Sequence, residues 1–172
     1  LDQVIYQAVP TINASHNIHF TMRQAYDLNE WTLEFNVNMS ELGKGLGELN
    51  NQALFGAWGS NGGEIYTRFG DAPIEGNRLQ IKTQGTQMNS KMLFDAKKWY
   101  HIAFVCTGTK LYLYVNGVLD NSMSLPGNAT NIASPINFGN TDYLRADVKV
   151  SELRFWTKAR TQAQVLNNMY AC

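Results

Sequence analysis

The sequence is short of charge, of histidine and cysteine, and of long apolar runs, and each shortage narrows the field. Only 16% of its 172 residues are charged, 14 Lys and Arg against 14 Asp and Glu, and the net charge is zero. No basic run exceeds Lys97-Lys98. Nothing here would neutralise a phosphate backbone, so nucleic acid is not an expected partner. No apolar stretch approaches the ~20 residues that cross a bilayer as a helix, and membrane insertion by this chain is not expected. His16 and His19 are three apart; on a strand they would point to opposite faces. No further His or Cys completes a set, so no metal ligands are expected there. Cys106 falls on the apolar side of a strand pattern, where buried free thiols are common. Cys172 is the last residue. Whether the two pair stays open, because spacing along a chain does not set their geometry. Gly-x-Ser-x-Gly and any recognisable His/Cys/Asn arrangement are also missing.

What is there is a pattern of short strands. At 172 residues the chain can bury one substantial core, and it is read as a single domain over 1–172. Residues 31–39, "WTLEFNVNM", alternate Trp31, Leu33, Phe35, Val37 and Met39 with Thr32, Glu34, Asn36 and Asn38, the period of a half-buried strand. Residues 53–58, 64–70 and 78–84 read as further strands, separated by "GSNGG" and "DAPIEGN". In "KKWYHIAFVCTGTKLYLYVNGV", Tyr100, Ile102, Phe104 and Cys106 share one face. Trp99, His101, Ala103 and Val105 share the other. A strand apolar on both faces is covered on both. A Gly-containing loop at 107–109 leads to a second strand ending at Asn116-Gly117, a pair suited to the positive φ angles of a type I′ turn. A third strand should then run to about Ser124. "PGNATNIASP" reads as a polar loop, and "INFGN" and "ADVKVSELRFW" as late strands.

Thr161 and Gln164 form a T-x-x-Q capping box. Val165, Leu166 and Met169 make a small apolar stripe behind it. This is the one helix expected, too short to persist undocked. The N-terminal "LDQVIYQ" reads as a strand and not as a signal peptide; if secreted, the chain would be a mature form or an excised piece. The expected core includes Trp31, Phe35, Leu79, Ile81, Ile102, Phe104, Leu111, Leu113, Phe155 and Leu166. Trp99 and Tyr100 are also expected to be core, since large rings dominate cores.

"WYHIAFVCTGTKLYLYVNG" resembles the laminin-G-like and pentraxin-like jelly rolls of the concanavalin A-like lectin/glucanase superfamily. Trp99, His101, Tyr114, Val115, Asn116 and Gly117 carry the likeness. "VSELRFWTKARTQAQV" resembles that family's last strand and short helix through Glu152, Arg154 and Trp156. "WTLEFNVN" is similar to its early strand, with Phe35 at the usual Trp position, and "INFGN" to a late one. The resemblance implies an all-β, two-sheet antiparallel jelly-roll sandwich with a short C-terminal helix, in a piece of a larger surface protein with other domains. It also implies a bacterial source, with the chain secreted or at the cell surface, on the outer surface or in the periplasm.

Glucanases of this superfamily carry two glutamates in an E-x-D-x-E strand, because glycoside hydrolysis needs two carboxyls held across the bond. That pattern is absent, and the chain is read as non-catalytic. The expected function is carbohydrate binding; the alternative is a protein-binding or spacer module. The candidate glycan site is Trp58, Asn61, Tyr66, Arg68 and Asp71. Tyr66 and Arg68 share the more polar face of one strand, Trp58 shares the outward parity of the strand before it, and Asn61 and Asp71 flank them in loops. Rings stack on sugar C–H faces while Asn, Asp and Arg bind hydroxyls. Asp142 and Tyr143 form a second candidate patch. Asp71 and Asp142 are oxygen ligands of the kind Ca²⁺ takes in some jelly rolls of this type, but the sequence holds no dense acidic loop, so calcium stays open. The three sequons, at Asn13, Asn38 and Asn128, matter only in a eukaryotic secretory setting.

Overall fold

A computed structural model of the chain describes residues 4–8, 11–12, 18–20, 26–40, 42, 52–57, 65–71, 74–132, 136–138, 140–141, 144–145 and 148–169. Two antiparallel sheets form a jelly-roll sandwich. The first has the order β1 (Val4–Ala8), β17 (Val148–Trp156), β5 (Trp31–Met39), β10 (Trp99–Cys106), β11 (Lys110–Val115) and β12 (Val118–Ser124), with β2 (Thr11–Ile12) also paired to β17. The second runs β3 (Ile18–Phe20), β14 (Ile136–Phe138), β6 (Gln52–Ala57), β7 (Ile65–Asp71), β8 (Ile74–Thr83) and β9 (Thr86–Asn89). Two small ladders join β4 (Tyr26–Leu28) to β13 (Thr130–Ile132), and β15 (Asn140–Thr141) to β16 (Leu144–Arg145). Helix α1 (Gln162–Asn168) follows β17.

The inward residues of β5 meet Leu54, Phe55, Ile65, Phe69, Leu79 and Ile81 of the second sheet in one core. The rings of Trp31 and Phe155 stack at 5.8 Å. Phe94 sits edge-on to both Phe69 and Tyr100, arrangements that add to plain burial. The meander follows the expected register. Asn116 and Gly117 take φ of 51° and 77° at the turn, and β12 ends at Ser124. The same positive-φ pair recurs at Gln84-Gly85 and turns β8 into β9, a strand not anticipated because Gln is an uncommon residue for that conformation.

Thr161 caps α1 as expected. Its hydroxyl accepts from Gln164 N, and Gln164 Oε1 accepts from Thr161 N. The stripe splits, however. Val165 and Met169 are buried, but Leu166 is 49% exposed. Positions four apart share a helix face, and a helix this short has room for one such line against the sheet.

The polar loop expected at 126–135 contributes β13 instead, because its Thr130–Ile132 backbone finds a partner strand in β4. "DAPIEGN" is largely strand, since β8 begins at Ile74; Asp71 therefore ends β7 and does not lie in a flanking loop. In β6 the expected alternation breaks. Leu54 and Phe55 both enter the core, because the β6–β7 register slips between Ala53 and Gly56. The Phe55 N–H freed by this bulge donates to the buried Thr67 hydroxyl at 3.0 Å.

Candidate functional site

Tyr66 and Arg68 share the outward face of β7, half-buried, between the buried Ile65, Thr67 and Phe69. The Arg68 guanidinium lies 5.6 Å from the Tyr66 ring centroid. Its Nε donates to Gln80 Oε1 at 2.7 Å, and Gln80 Nε2 donates to Asn89 Oδ1 at 2.8 Å. The chain of amides aims the cation along the ring. Asp71 is brought to the end of the same strand, but its side chain lies outside the described residues, as do Trp58, Asn61, Asp142 and Tyr143.

The first sheet carries a second surface that the sequence reading passed over. Its outer face is a lattice of four cross-strand rows. Lys149, Asn38 and Trp99 form the first; Ser151, Asn36, His101 and Asn116 the second. Arg154, Glu34, Ala103 and Tyr114 form the third; Trp156, Thr32, Val105 and Tyr112 the fourth. The C-terminal segment roofs the last two rows. Val165 of α1 packs with Ala103 and Val105. Thr32 Oγ1 donates to Lys158 O at 2.8 Å and accepts from Arg160 N at 2.9 Å. The Arg160 guanidinium caps the Trp156 ring at 4.0 Å. Glu34 and Thr32 are thereby buried, although the alternation of β5 had read as half-buried.

The second row, with Trp99 beside it, borders a cavity, although His101 within it is itself buried. A cavity of about 390 Å³ is lined by Asn36, Trp99, Tyr100, His101, Asn116 and Ser151. Trp99 is 50% exposed, and so it is not a core residue. The reason lies in the roof: α1 ends over the Ala103 row and does not reach the start of β10. Two backbone features aim the lining. Lys97 takes φ of 60° just before β10, and Lys97 N donates to Met39 O at 2.6 Å. Asn116 is tied to His101 twice, through Asn116 N to His101 O at 2.8 Å and His101 N to Asn116 Oδ1 at 2.9 Å.

Behind the cavity lies a buried charge cluster. Glu34, 1% exposed, receives Trp156 Nε1 at 3.0 Å and faces Arg154 Nη1 at 3.5 Å and His101 Nε2 at 3.6 Å. Arg154 Nη2 pairs with Glu152 Oε2 at 2.6 Å and Nη1 also donates to Asn168 O at 3.1 Å, which ties α1 to the sheet. Burial by itself pushes the Glu34 carboxyl up. The hydrogen bonds from His101 and Trp156, with the charges of His101 and Arg154, overcome it and hold the group below its ordinary value. His101 Nδ1 is buried, and no described group hydrogen-bonds to it. Among the described residues no three His, Cys, Asp or Glu side chains gather to hold a metal ion, and no helix is long and apolar enough to cross a membrane.

Trp99 and His101 were visible in the sequence as signature residues. Their outward parity was legible; which outward positions stay open was not.

The chain belongs to the concanavalin A-like lectin/glucanase superfamily, whose family model matches residues 13–166. No curated protein matches it. Among solved structures it is similar to a candidate carbohydrate-binding protein from Bacteroides ovatus ATCC 8483, at 21% identity and a TM-score of 0.72, over 97% of this chain and 48% of that one. It is similar to the ligand binding domain of botulinum neurotoxin serotype D in complex with N-acetylneuraminic acid, at 14% identity and 0.69, over 97% and 45%. A heptameric pentraxin from Limulus polyphemus matches at 14% and 0.68, over 92% and 79%. The chain thus spans about half the length of the first and second of these. At such identities the likeness is one of fold.

Proposed function

We propose that the chain is a non-catalytic carbohydrate-binding module that seats a glycan in the cavity beside Trp99. The single observation that carries this reading is the half-exposed Trp99 ring standing next to a row of amide, imidazole and hydroxyl groups in one concavity. A ring for the C–H face of a sugar and planar amides for its hydroxyls are the two things such a ligand needs. The B. ovatus and neurotoxin neighbours support the class of ligand; fold by itself does not imply function. The non-catalytic reading is supported by the carboxylates at hand. Glu34 and Glu152 share Arg154, and Glu34 is held as the anion, so it has no proton to give as a general acid.

The face of Tyr66 and Arg68 is proposed as a second contact for a longer glycan, with Trp58, Asn61 and Asp71 as further candidates and Asp142 and Tyr143 as a separate candidate patch. The parent setting we propose is a larger bacterial secreted or cell-surface protein in which this module works beside other domains. The test is a glycan array followed by titration of tryptophan emission. Binding that disappears in Trp99→Ala with the melting temperature unchanged supports the reading. A blank array, or affinity indifferent to Trp99→Ala, overturns the cavity assignment and favours a protein-binding or spacer role.

A further inference from the structure

Building on the carbohydrate reading of this cavity, we propose that its ligand is a linear oligosaccharide laid across the strands, one ring to each strand step and three rings in all, with Asn36 and Ser151 holding the second and third.

The lining residues give the cavity its direction. β17, β5 and the turn after β11 each contribute a single residue, Ser151, Asn36 and Asn116, and only β10 contributes more, from Trp99 to His101. Ser151, Asn36, His101 and Asn116 stand in one cross-strand row. The cavity is therefore narrow along the strands and long across them. Neighbouring strands are about 4.8 Å apart, so the row from Ser151 to Asn116 covers about 14 Å. An extended chain of pyranose rings advances by about one such step per ring, so consecutive rings meet consecutive strands.

The flanks leave a chain that direction to follow. On one side the next row is closed: Val165 of α1 packs on Ala103, and the buried Glu34–Arg154 pair fills the rest. On the other side the half-exposed Trp99 ring rises from β10.

Polar groups mark the steps. Asn116 Oδ1 is engaged by His101 N, which leaves the Asn116 N–H groups for the ring that stacks on Trp99. Asn36 and Ser151 are half-buried, and neither side chain hydrogen-bonds to another described group. Each can meet a sugar hydroxyl as well as it meets water. His101 is buried and serves only as floor. A single ring at Trp99 leaves Asn36 and Ser151 to solvent, whereas three rings in a row engage every lining group.

The experiment titrates the full chain with β-linked oligomers of glucose, xylose and mannose from one ring to six, read by calorimetry. The site is identified by loss of binding in Trp99→Ala. The expected result is a Trp99-dependent affinity that rises at least tenfold from one ring to three and is level from three to six. Ser151→Phe, which fills the far end of the row, should bring the three-ring ligand down to the affinity of the two-ring one and leave the two-ring one unchanged. Ser151→Ala adds no bulk and serves if the larger residue unfolds the sheet; it too should shrink the gain from the third ring alone. Asn36→Ala should cut the gain from the second ring while a single ring binds as before. Affinity that is flat from one ring, that still climbs beyond three, or that responds to the Ser151 variants equally for two rings and for three overturns the inference and leaves carbohydrate binding intact. If no probe binds through Trp99, the carbohydrate reading of the cavity fails first and this inference with it.

Discussion

Arg154 lies directly across from Glu34 because β17 carries one residue more than its partner requires. Ser151 pairs with Asn36 and Arg154 with Glu34, so Glu152 and Leu153 together oppose Phe35. Glu152 takes φ of 53° to make this bulge, which turns Leu153 into the core and Arg154 outward. Bulges re-aim side chains in this way. Here the result is a buried ion pair that ties β5, β17 and α1 together.

Breaking that pair from one side should be costly. Glu34→Ala removes the buried carboxylate that faces Arg154 Nη1 and accepts from Trp156 Nε1, and the expected loss is about 3–5 kcal/mol. Glu34→Met with Arg154→Met should recover much of the loss, since it removes both buried charges and leaves only the part-exposed Glu152 to solvent. Urea denaturation reads both. A loss under about 1 kcal/mol in the single variant would show that solvent reaches the cluster.

Acid should unfold the domain partly through the same residue. The Glu34 carboxyl is held below its ordinary value of 4.5 in the fold. A group lowered on folding stabilises the fold fully above its unfolded value and loses that contribution as pH falls through the folded value. Stability should therefore fall below about pH 4.5, and Glu34→Gln, less stable at pH 7, should show a shallower acid limb. Melting temperature against pH checks this; parallel limbs in the two proteins would refute it.

Gly117 and Leu166 meet where the hairpin turn touches α1. A Cβ on Gly117 would lie 2.5 Å from Leu166 Cδ1. Gln162 Nε2 also donates to Gly117 O at 3.0 Å. Gly117→Ala should cost about 1–2 kcal/mol, the strain of an L-residue in the left-handed region. Leu166 is half in solvent and can turn aside, so adding Leu166→Ala should restore little. Full rescue by the second substitution would mean that the contact, and not the backbone, sets the cost.

Phe104→Ala should cost about 3–5 kcal/mol, as truncation of a buried Phe does, since Phe104 is wholly enclosed in the main core. Leu166→Ala should be near neutral. The pair of equilibrium unfolding curves separates core from rim on residues that the sequence pattern had placed together.

On the second sheet, Tyr66→Ala and Arg68→Ala should leave binding of a short oligosaccharide unchanged and weaken a long polysaccharide several-fold, as loss of one of two linked contacts does. Calorimetry with a hexasaccharide and its parent polymer tests this. Equal losses for both ligands would place the primary site on this face instead of beside Trp99.

Much of the architecture is legible in short stretches of sequence. The alternation of 31–39 and 99–106, the Asn116-Gly117 turn and the Thr161–Gln164 cap each depend on φ, ψ and side-chain reach within a few residues. They are decided locally and appear as expected. Tyr66 and Arg68 share a face for the same reason. The bulge at Leu54-Phe55 escaped notice because a strand of that composition can alternate either way until its partner's register selects one.

What the sequence by itself determined is which side chains of each strand point together. What only the tertiary structure decided is which of those faces are covered, and by what. Thr32 meets Lys158 and Arg160, more than 120 positions away. Glu34 meets Arg154 through a bulge, and α1 stops short of Trp99. No period in the chain encodes where a helix of seven residues ends over a sheet. That end point comes from Val165 packing on Ala103 and Val105, from burial of Met169, and from Asn168 O meeting Arg154. It buries the charged half of one face and leaves the aromatic and amide half open as the candidate site.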